Sequence, residues 1–559
     1  MTHPRSGFAA PPRGRIASNR AKPDLRRSLG SAVALAATLA FSTPVCAQTV
    51  SPMNHANRYD KPLAGLYEKR EADWRNGAIV YQLLVDRFAP SANLEAKRML
   101  YPAPKKLRTW SEEPRQGTYL EAEKLWSHEI DFWGGDLAST MGRLDYVQPL
   151  GADGLYLTPI VLAYTNHKYD ALDYQQISPE YGQRDDVAKL AAEAKKRGLK
   201  LVLDGVFNHM GRNSAKFKDA ESNLASPYRD WFVFGKDYKG GVRTWWNAQN
   251  LPELNLENPA VRNHLWAAKD SVVRSYLRDG VDGWRLDVAF DIGFNHLEAL
   301  TNAAHDEKRG SLVVGEIPNY PREWFPSVDG VMHFGLRKLM IALANRDIDG
   351  PTFQRMAARM VRDADYEHIL KSWVYLDNHD TYRLATTVPD AKARKLAQVL
   401  QFTLPGAVNL YYGTEVAMEG GDDPEMRGPM RWDRVAANHP DLAWTRQLVG
   451  LRKAHRALRV GDFRTAEASG NVVAFERTTD KAGDTVLVLI NPAMTEVQTT
   501  VLVANSKLMD GDNLIDQLGG KTYKLQGSMV ETRLPPQTAL VLKPRLTTPD
   551  GYSNYKRVQ

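Results

Sequence analysis

One cysteine, Cys46, stands among 559 residues, which excludes a disulfide framework and thiol catalysis. No stretch beyond the first 47 residues approaches the roughly 18 uninterrupted apolar residues of a membrane helix. There is no internal repeat and no low-complexity segment past an alanine-rich beginning, so solenoids and arrays drop out. No glycine-rich phosphate loop follows an early strand, which argues against a nucleotide-binding open sheet. The net charge of +7 suggests a nucleic-acid partner until its location is read. Residues 1–47 hold Arg5, Arg13, Arg15, Arg20, Lys22, Arg26 and Arg27 against Asp24 alone, leaving +1 for the rest. Basicity therefore belongs to the leader, and nucleic acid is disfavoured. The remainder is ordinary globular composition, 43% hydrophobic and 25% charged.

The leader has the order of a secretory signal peptide: Arg26-Arg27, an apolar run from Leu29 to Phe41, then Val45-Cys46-Ala47 before Gln48. Cleavage is expected after Ala47, taking the only cysteine with it and giving an exported protein, periplasmic or extracellular. Residues 48–75 form an N-terminal lead-in, and 545–559 a polar tail.

From residue 76 the chain alternates short β-rich runs with amphipathic helical patterns. The runs are IVYQLLV (79–85), DGLYLTPI (153–160), KLVLDGVF (200–207), DGWRLDV (282–288), LVVGEI (312–317), GVMHFG (330–335), SWVYLDN (372–378) and AVNLYYG (407–413). The clearest helical patterns, 185–198 and 260–280, both end at glycine. Eight such units predict an α/β fold, a TIM (β/α)8 barrel, in two parts over 76–207 and 258–460. Residues 208–257, rich in Trp, Asn, Pro and Gly, are too long for a βα loop and predict an inserted subdomain after the third strand. At 461–544 helical patterns give way to NVVAFERTT, DTVLVLINP, TTVLVA and TALVLKP, predicting a C-terminal all-β domain.

A barrel of this type gathers its chemistry at the C-terminal ends of its strands. The third run ends in Asp204, Asn208 and His209, the fourth in Arg285 and Asp287, the fifth in Glu316, and the seventh in Asn378, His379 and Asp380; the loop after the second supplies His167 and Tyr169. Carboxylates from three neighbouring strands would repel unless a cation set their protonation states, and Arg285 is the evident partner of Asp287. One ionised and one protonated carboxyl are the requirement of retaining glycoside hydrolysis. Asp287 beside Arg285 suits the ionised nucleophile; Glu316, after Leu312-Val313-Val314-Gly315, suits the protonated acid. A single strand-end carboxylate or histidine is more often structural, but the set is not explained that way. Asp86-Arg87 reads as structural, and Trp245-Trp246 as sugar platforms or subdomain core.

The strings DGVFNH (204–209), LPELN (251–255), GWRLDV (283–288), VVGEI (313–317) and LDNHD (376–380) stand in the order of the α-amylase family's sequence regions. VYQLLVDRF (80–88), NHKYD (166–170) and LPGAVNLYYGTEVAM (404–418) add to the likeness, and the chain resembles that family from about residue 76 to 544. The resemblance implies that Asp287 is the nucleophile, Glu316 the acid and later base, and Asp380 the third catalytic carboxylate. It further implies that His167, His209 and His379 bond sugar hydroxyls, that Tyr169 stacks on the attacked ring, that Arg285 orients Asp287, and that Asp204 and Arg383 lie at the second shell or subsite edge. The substrate implied is an α-glucan oligo- or polysaccharide.

The flanks HKYD, SPYRDWF (226–232) and GWRLDVA resemble the cyclomaltodextrinase, neopullulanase and maltogenic amylase branch, although Gln48–Gly77 is too short for that branch's extra N-terminal β domain. Many relatives place Lys-His three and four positions after the nucleophile, where Phe290 and Asp291 stand here. The segment 89–110 carries Lys97, Arg98, Lys105, Lys106 and Arg108 in place of a cluster of oxygen ligands. No metal and no cofactor are expected, even though Asn208 stands where a calcium ligand would. Two other readings remain: a glucanotransferase using the same intermediate with a sugar acceptor, and a non-catalytic carbohydrate-binding relative. Intact Asp287, Glu316 and Asp380 speak against the latter. Oligomeric state is not legible.

Overall fold

The computed structural model describes residues 61–545 with the exception of Asp512. The expected signal peptide and its cleavage site, and all of the polar tail beyond Arg545, lie outside the described residues.

All eight expected strands form. They are β1 (Ile79–Leu83), β2 (Gly154–Leu157), β3 (Lys200–Gly205), β4 (Gly283–Leu286), β5 (Leu312–Gly315), β6 (Gly330–Val331), β7 (Trp373–Val374) and β8 (Ala407–Tyr411). They pair in parallel in the order β6-β5-β4-β3-β2-β1-β8-β7. A single parallel bridge, Met332 to Trp373, joins the two ends and closes the barrel. There the His333 amide donates to the Trp373 carbonyl at 2.9 Å, while the Val331 amide donates to the Ser372 hydroxyl at 3.1 Å.

Alternate residues of each strand point to opposite sides. One side fills the bore with Val80, Tyr156, Val202, Val314, Trp373 and Ala407; the other packs Tyr81, Leu155, Leu201, Leu203 and Val313 against the surrounding helices. Helix α1 (Lys61–Ala72) falls in the lead-in and is tied down by Arg70, which pairs with Glu367 and Asp462. Helix α2 (Arg184–Lys196) carries Asp185 and Asp186 in its first turn and Lys195 and Lys196 in its last, as the helix dipole favours.

The pattern at 260–280 is not one helix. Pro259–Arg262 widens into a π turn at Asn263–Ala267, the backbone runs extended at Ala268 and Ser271, and a new helix spans Val272–Arg278. Leu265-Trp266 and Val272-Val273 lie two helical turns apart and still face inward, so their periodicity passes through the break unregistered. A second departure lies between β1 and β2. Residues 89–136 form an excursion with two small sheets, Lys106–Leu107 beside Asp131–Phe132 and the hairpin Tyr119–Leu120 with Leu125–Trp126. It has its own small core of Tyr101, Leu125, Ile130 and Phe132.

The inserted segment after β3 is held mostly by isolated bridges, among them His209–Glu253 and Phe232–Leu254, around Phe217, Phe232 and Val242. The C-terminal domain is all β, with a six-stranded and a three-stranded sheet. Its Val473, Phe475, Val488 and Val541 share one apolar cluster with Leu336, Leu396 and Leu400 of the barrel's helices. Helix α3 (Phe294–Glu307) follows β4 and packs Leu297, Leu300 and Ala304 inward.

Candidate active site

Arg285 and Asp204 are register partners on adjacent parallel strands, so their side chains leave the sheet in the same direction. Arg285 is fully buried, and its Nη1 donates to both Asp204 oxygens at 3.0 Å and to Asp287 Oδ1 at 3.0 Å. Its Nη2 lies 2.8 Å from Glu316 Oε2 as an ion pair. One guanidinium thus serves three carboxylates, where the sequence assigned it to Asp287 alone. Asp204 is further held by the hydroxyls of Tyr156 at 2.5 Å and Tyr169 at 2.9 Å. It is a fully enclosed hub rather than a group at the edge of the pocket.

This sharing corrects the expectation that Arg285 alone keeps Asp287 ionised. Burial raises the Asp287 carboxyl well above its usual range; Arg285 opposes this, and the charges of Glu316, Asp204 and Asp380 add to the rise. Asp380 behaves oppositely. Burial would raise it too, but His379 and then Arg427 hold it below the usual carboxylate range.

Behind the pocket runs a directed chain of amides. Asn409 Nδ2 donates to Gln82 Oε1 at 2.9 Å, and Gln82 Nε2 meets His379 Nδ1 at 2.8 Å. With Nδ1 accepting, the proton of His379 sits on Nε2, which faces Asp380 Oδ2 at 2.9 Å and the Tyr169 hydroxyl at 2.5 Å. The Tyr169 and His379 rings are parallel within 4° at 5.4 Å. His167 also lies against Tyr169, its Nδ1 accepting from the Tyr169 amide at 3.1 Å. His209 Nε2 donates to the Tyr169 carbonyl at 3.1 Å, and burial lowers its pKa to about 4, so it is neutral near pH 7. Tyr169 therefore collects all three histidines about itself.

Val288 follows the proposed nucleophile with φ of +49°, a left-handed conformation that is costly for a β-branched residue. In that conformation its amide donates to Glu316 Oε2 at 3.1 Å, so local strain buys a fixed position for the acid.

Arg383 does not reach the carboxylates. It is fully buried, stacked over Tyr411 with 4.0 Å to the ring centroid, and donates to the Tyr412 carbonyl. The cation beside Asp380 is Arg427, which the sequence reading passed over because 47 positions and no common element separate the two. Gln82 and Asn409 were also missed, although both are polar residues in otherwise apolar strands, the one signal that could have marked them. Asp86 and Arg87 are structural as expected: Asp86 accepts from the Trp133 and Gly134 amides, and Arg87 lies 3.8 Å from the centre of the Trp133 ring. Trp245 stacks on His209 at 5.7 Å and so belongs to the pocket wall, whereas Trp246 is 60% exposed.

Among the described residues, no group of three or more His, Cys, Asp or Glu is arranged to hold a metal. Of the basic residues of 89–110, Lys97 pairs with Asp136 and Arg108 with Asp131.

Residues 82–443 match the family model for the alpha amylase catalytic domain. The chain belongs to the α-amylase family. A cyclomaltodextrinase of Geobacillus thermopakistaniensis is 30% identical over 478 residues, 83% of this chain and 76% of that protein. Neopullulanase 2 of Thermoactinomyces vulgaris is 32% identical over 425 residues, 73% of this chain and 68% of that one. A Bacillus cyclomaltodextrinase, 34% identical over 373 residues, is covered over 66% of its length, so the chain spans about two thirds to three quarters of these relatives. Among solved structures, the cyclic α-maltosyl-(1→6)-maltose hydrolase of Arthrobacter globiformis superposes with a TM-score of 0.71 at 29% identity, over 85% of this chain and 99% of that one. As an α-amylase family glycoside hydrolase, the protein acts on α-1,4-glucosidic bonds by the family's retaining chemistry.

Proposed function

We propose that this protein hydrolyses maltodextrins, starch or cyclodextrins outside the cytoplasm, with Asp287 as nucleophile, Glu316 as acid and base, and Asp380 as the group that grips the attacked sugar. The observation that carries the assignment is the single guanidinium of Arg285 in contact with both Asp287 and Glu316. Retaining hydrolysis starts with one ionised and one protonated acid, and a cation shared between the two favours the ionised one.

In the first step an Asp287 oxygen attacks the anomeric carbon as the bond to the leaving oxygen breaks, and Glu316 gives its proton to that oxygen. The product is a covalent glucosyl ester on Asp287. In the second, the Glu316 carboxylate takes a proton from water, whose oxygen attacks the same carbon and frees Asp287. Asp380, kept ionised by His379 and Arg427, accepts hydrogen bonds from sugar hydroxyls, and the flat Tyr169–His379 pair offers a face to the ring. Export is supported by the order of charge, apolar run and small residues in 26–47.

The test is chromatography of products over time from soluble starch and, separately, from β-cyclodextrin. Ring opening faster than starch cleavage assigns imported small dextrins as substrate; early mixed maltodextrins with the ring intact assign starch. New cyclic or longer sugars would overturn hydrolysis in favour of glucanotransfer.

A further inference from the structure

The exposed large aromatic residues among the described residues are Tyr119, Trp246, Phe294, Tyr320 and Tyr382. Each lies on a segment that follows the C-terminal end of a barrel strand, after β1, β3, β4, β5 and β7 in turn. Among its described residues the C-terminal β domain exposes Met494, Leu502, Met509 and Met529 but no large aromatic ring. Exposed apolar residues scattered singly need no explanation. Rings confined to segments that follow the C-terminal ends of barrel strands, the face where a barrel's chemistry gathers, do.

Phe294 is the best built of them. It opens α3 after the short helix Ala289–Ile292 that follows Asp287, and Gly293 between the two helices has φ of +81°. Its ring is stacked on Trp324, with centroids 4.2 Å apart and 29° between planes, and it remains 45% exposed. Trp324 is 8% exposed and lies in the short helix Pro321–Trp324 of the segment that begins at Glu316. The two rings thus come from the two segments that hold the reacting carboxyls, one ring forming the floor and the other the open surface. Tyr320, 46% exposed, is fixed nearby in the chain by its hydroxyl, which donates to Asp363 at 3.1 Å. A flat, supported ring with an open face is the surface on which the apolar face of a pyranose stacks.

We propose that Phe294, seated on Trp324, is a platform for the leaving-group side of a long α-glucan chain, outside the pocket where the bond is cut. The side follows from Glu316: the acid protonates the leaving oxygen, so the departing chain emerges along the segment that Glu316 begins. The proposal rests on the α-glucan hydrolase reading and deepens it, since the platform favours chains long enough to reach past the pocket over short oligosaccharides.

The experiment compares the full-length enzyme with Phe294→Ala and Phe294→Trp on amylose and on maltotriose, and adds affinity electrophoresis through gels containing amylose. Phe294→Ala is expected to raise KM for amylose about tenfold, the size of one aromatic stacking contact. Its kcat/KM on maltotriose should stay within about twofold, and Phe294→Trp should restore amylose behaviour. Equal losses on both substrates, or no change on amylose, overturn the platform. Affinity electrophoresis reads binding with no turnover, so it separates the two claims. A wild-type protein that cleaves neither substrate refutes the hydrolase reading, and the gel still decides the platform: retardation lost in Phe294→Ala supports it, and retardation unchanged refutes it.

Discussion

Arg427 donates from Nη2 to Asp380 Oδ1 at 3.0 Å while its Nε holds the carbonyl of His379 at 2.8 Å. The two bonds fix a carboxylate and the histidine before it as one unit. Arg427→Gln should lower kcat/KM on maltotriose by about 10- to 100-fold, as expected when a sugar-gripping group loses its position. The pair also has a pH signature. Asp380 has a depressed pKa, so its contribution to stability is present above the unfolded value near 4 and is lost as pH falls below it. The melting-temperature gap between wild type and Arg427→Gln should therefore be open at pH 7 and narrow below about pH 4.

Asp287→Asn should lower turnover by about four orders of magnitude or more while oligosaccharide binding by calorimetry persists. It should also stabilise the protein. An acid whose folded pKa is raised costs stability above its unfolded pKa, because the unfolded chain releases the proton more readily. Replacing it by a neutral amide removes that cost, and thermal unfolding at pH 7 should rise by about 2 °C. An unchanged or lower midpoint would show that Arg285 alone carries the charge balance. A crystal structure should place the Asp287 and Glu316 carboxyls about 5–5.5 Å apart, and a gap near 9 Å would contradict retention.

His209 and His333 are both buried with pKa values lowered to about 4. Their neutral forms stabilise the fold fully above the unfolded value near 6.5, and that stability is lost as pH falls from there to 4. Denaturant unfolding of His209→Gln between those pH values should show a shallower decline than wild type. A histidine NMR titration that places His209 near 6.5 would refute the buried neutral form.

Lys168 and Glu180 form an ion pair with 0% and 3% of their side chains exposed, and the ammonium sits 5.0 Å from the Phe132 and Tyr181 ring centres. Lys168→Met leaves Glu180 charged and unpaired, at a cost of about 3–5 kcal/mol. Lys168→Met with Glu180→Leu should recover most of that loss, and urea unfolding of the three proteins measures both effects.

The eight strands and the carboxylates were legible because strand ends are marked by a local change, from apolar runs to Asp, Glu, His and Arg. Arg285 was legible as a partner, but not its division among Asp204, Asp287 and Glu316, since that depends on register between neighbouring strands. Arg427 and Asn409 reach the site from distant parts of the chain, and nothing near them in sequence points to Asp380 or His379. The break at Ala268–Ser271 was hidden by inward-facing residues that keep their phase across it. Val288 could not be foreseen either, because valine is among the residues least suited to positive φ.

The barrel closes through one bridge, between Met332 and Trp373, with a serine hydroxyl standing in for a ladder carbonyl. Glu316 follows β5 on one side of that seam, and Asp380 follows β7 on the other. The groups that break the bond and the group that grips the sugar thus belong to opposite lips of the least-stitched junction in the sheet. Amide hydrogen exchange should be fastest among the barrel strands at Val331–His333.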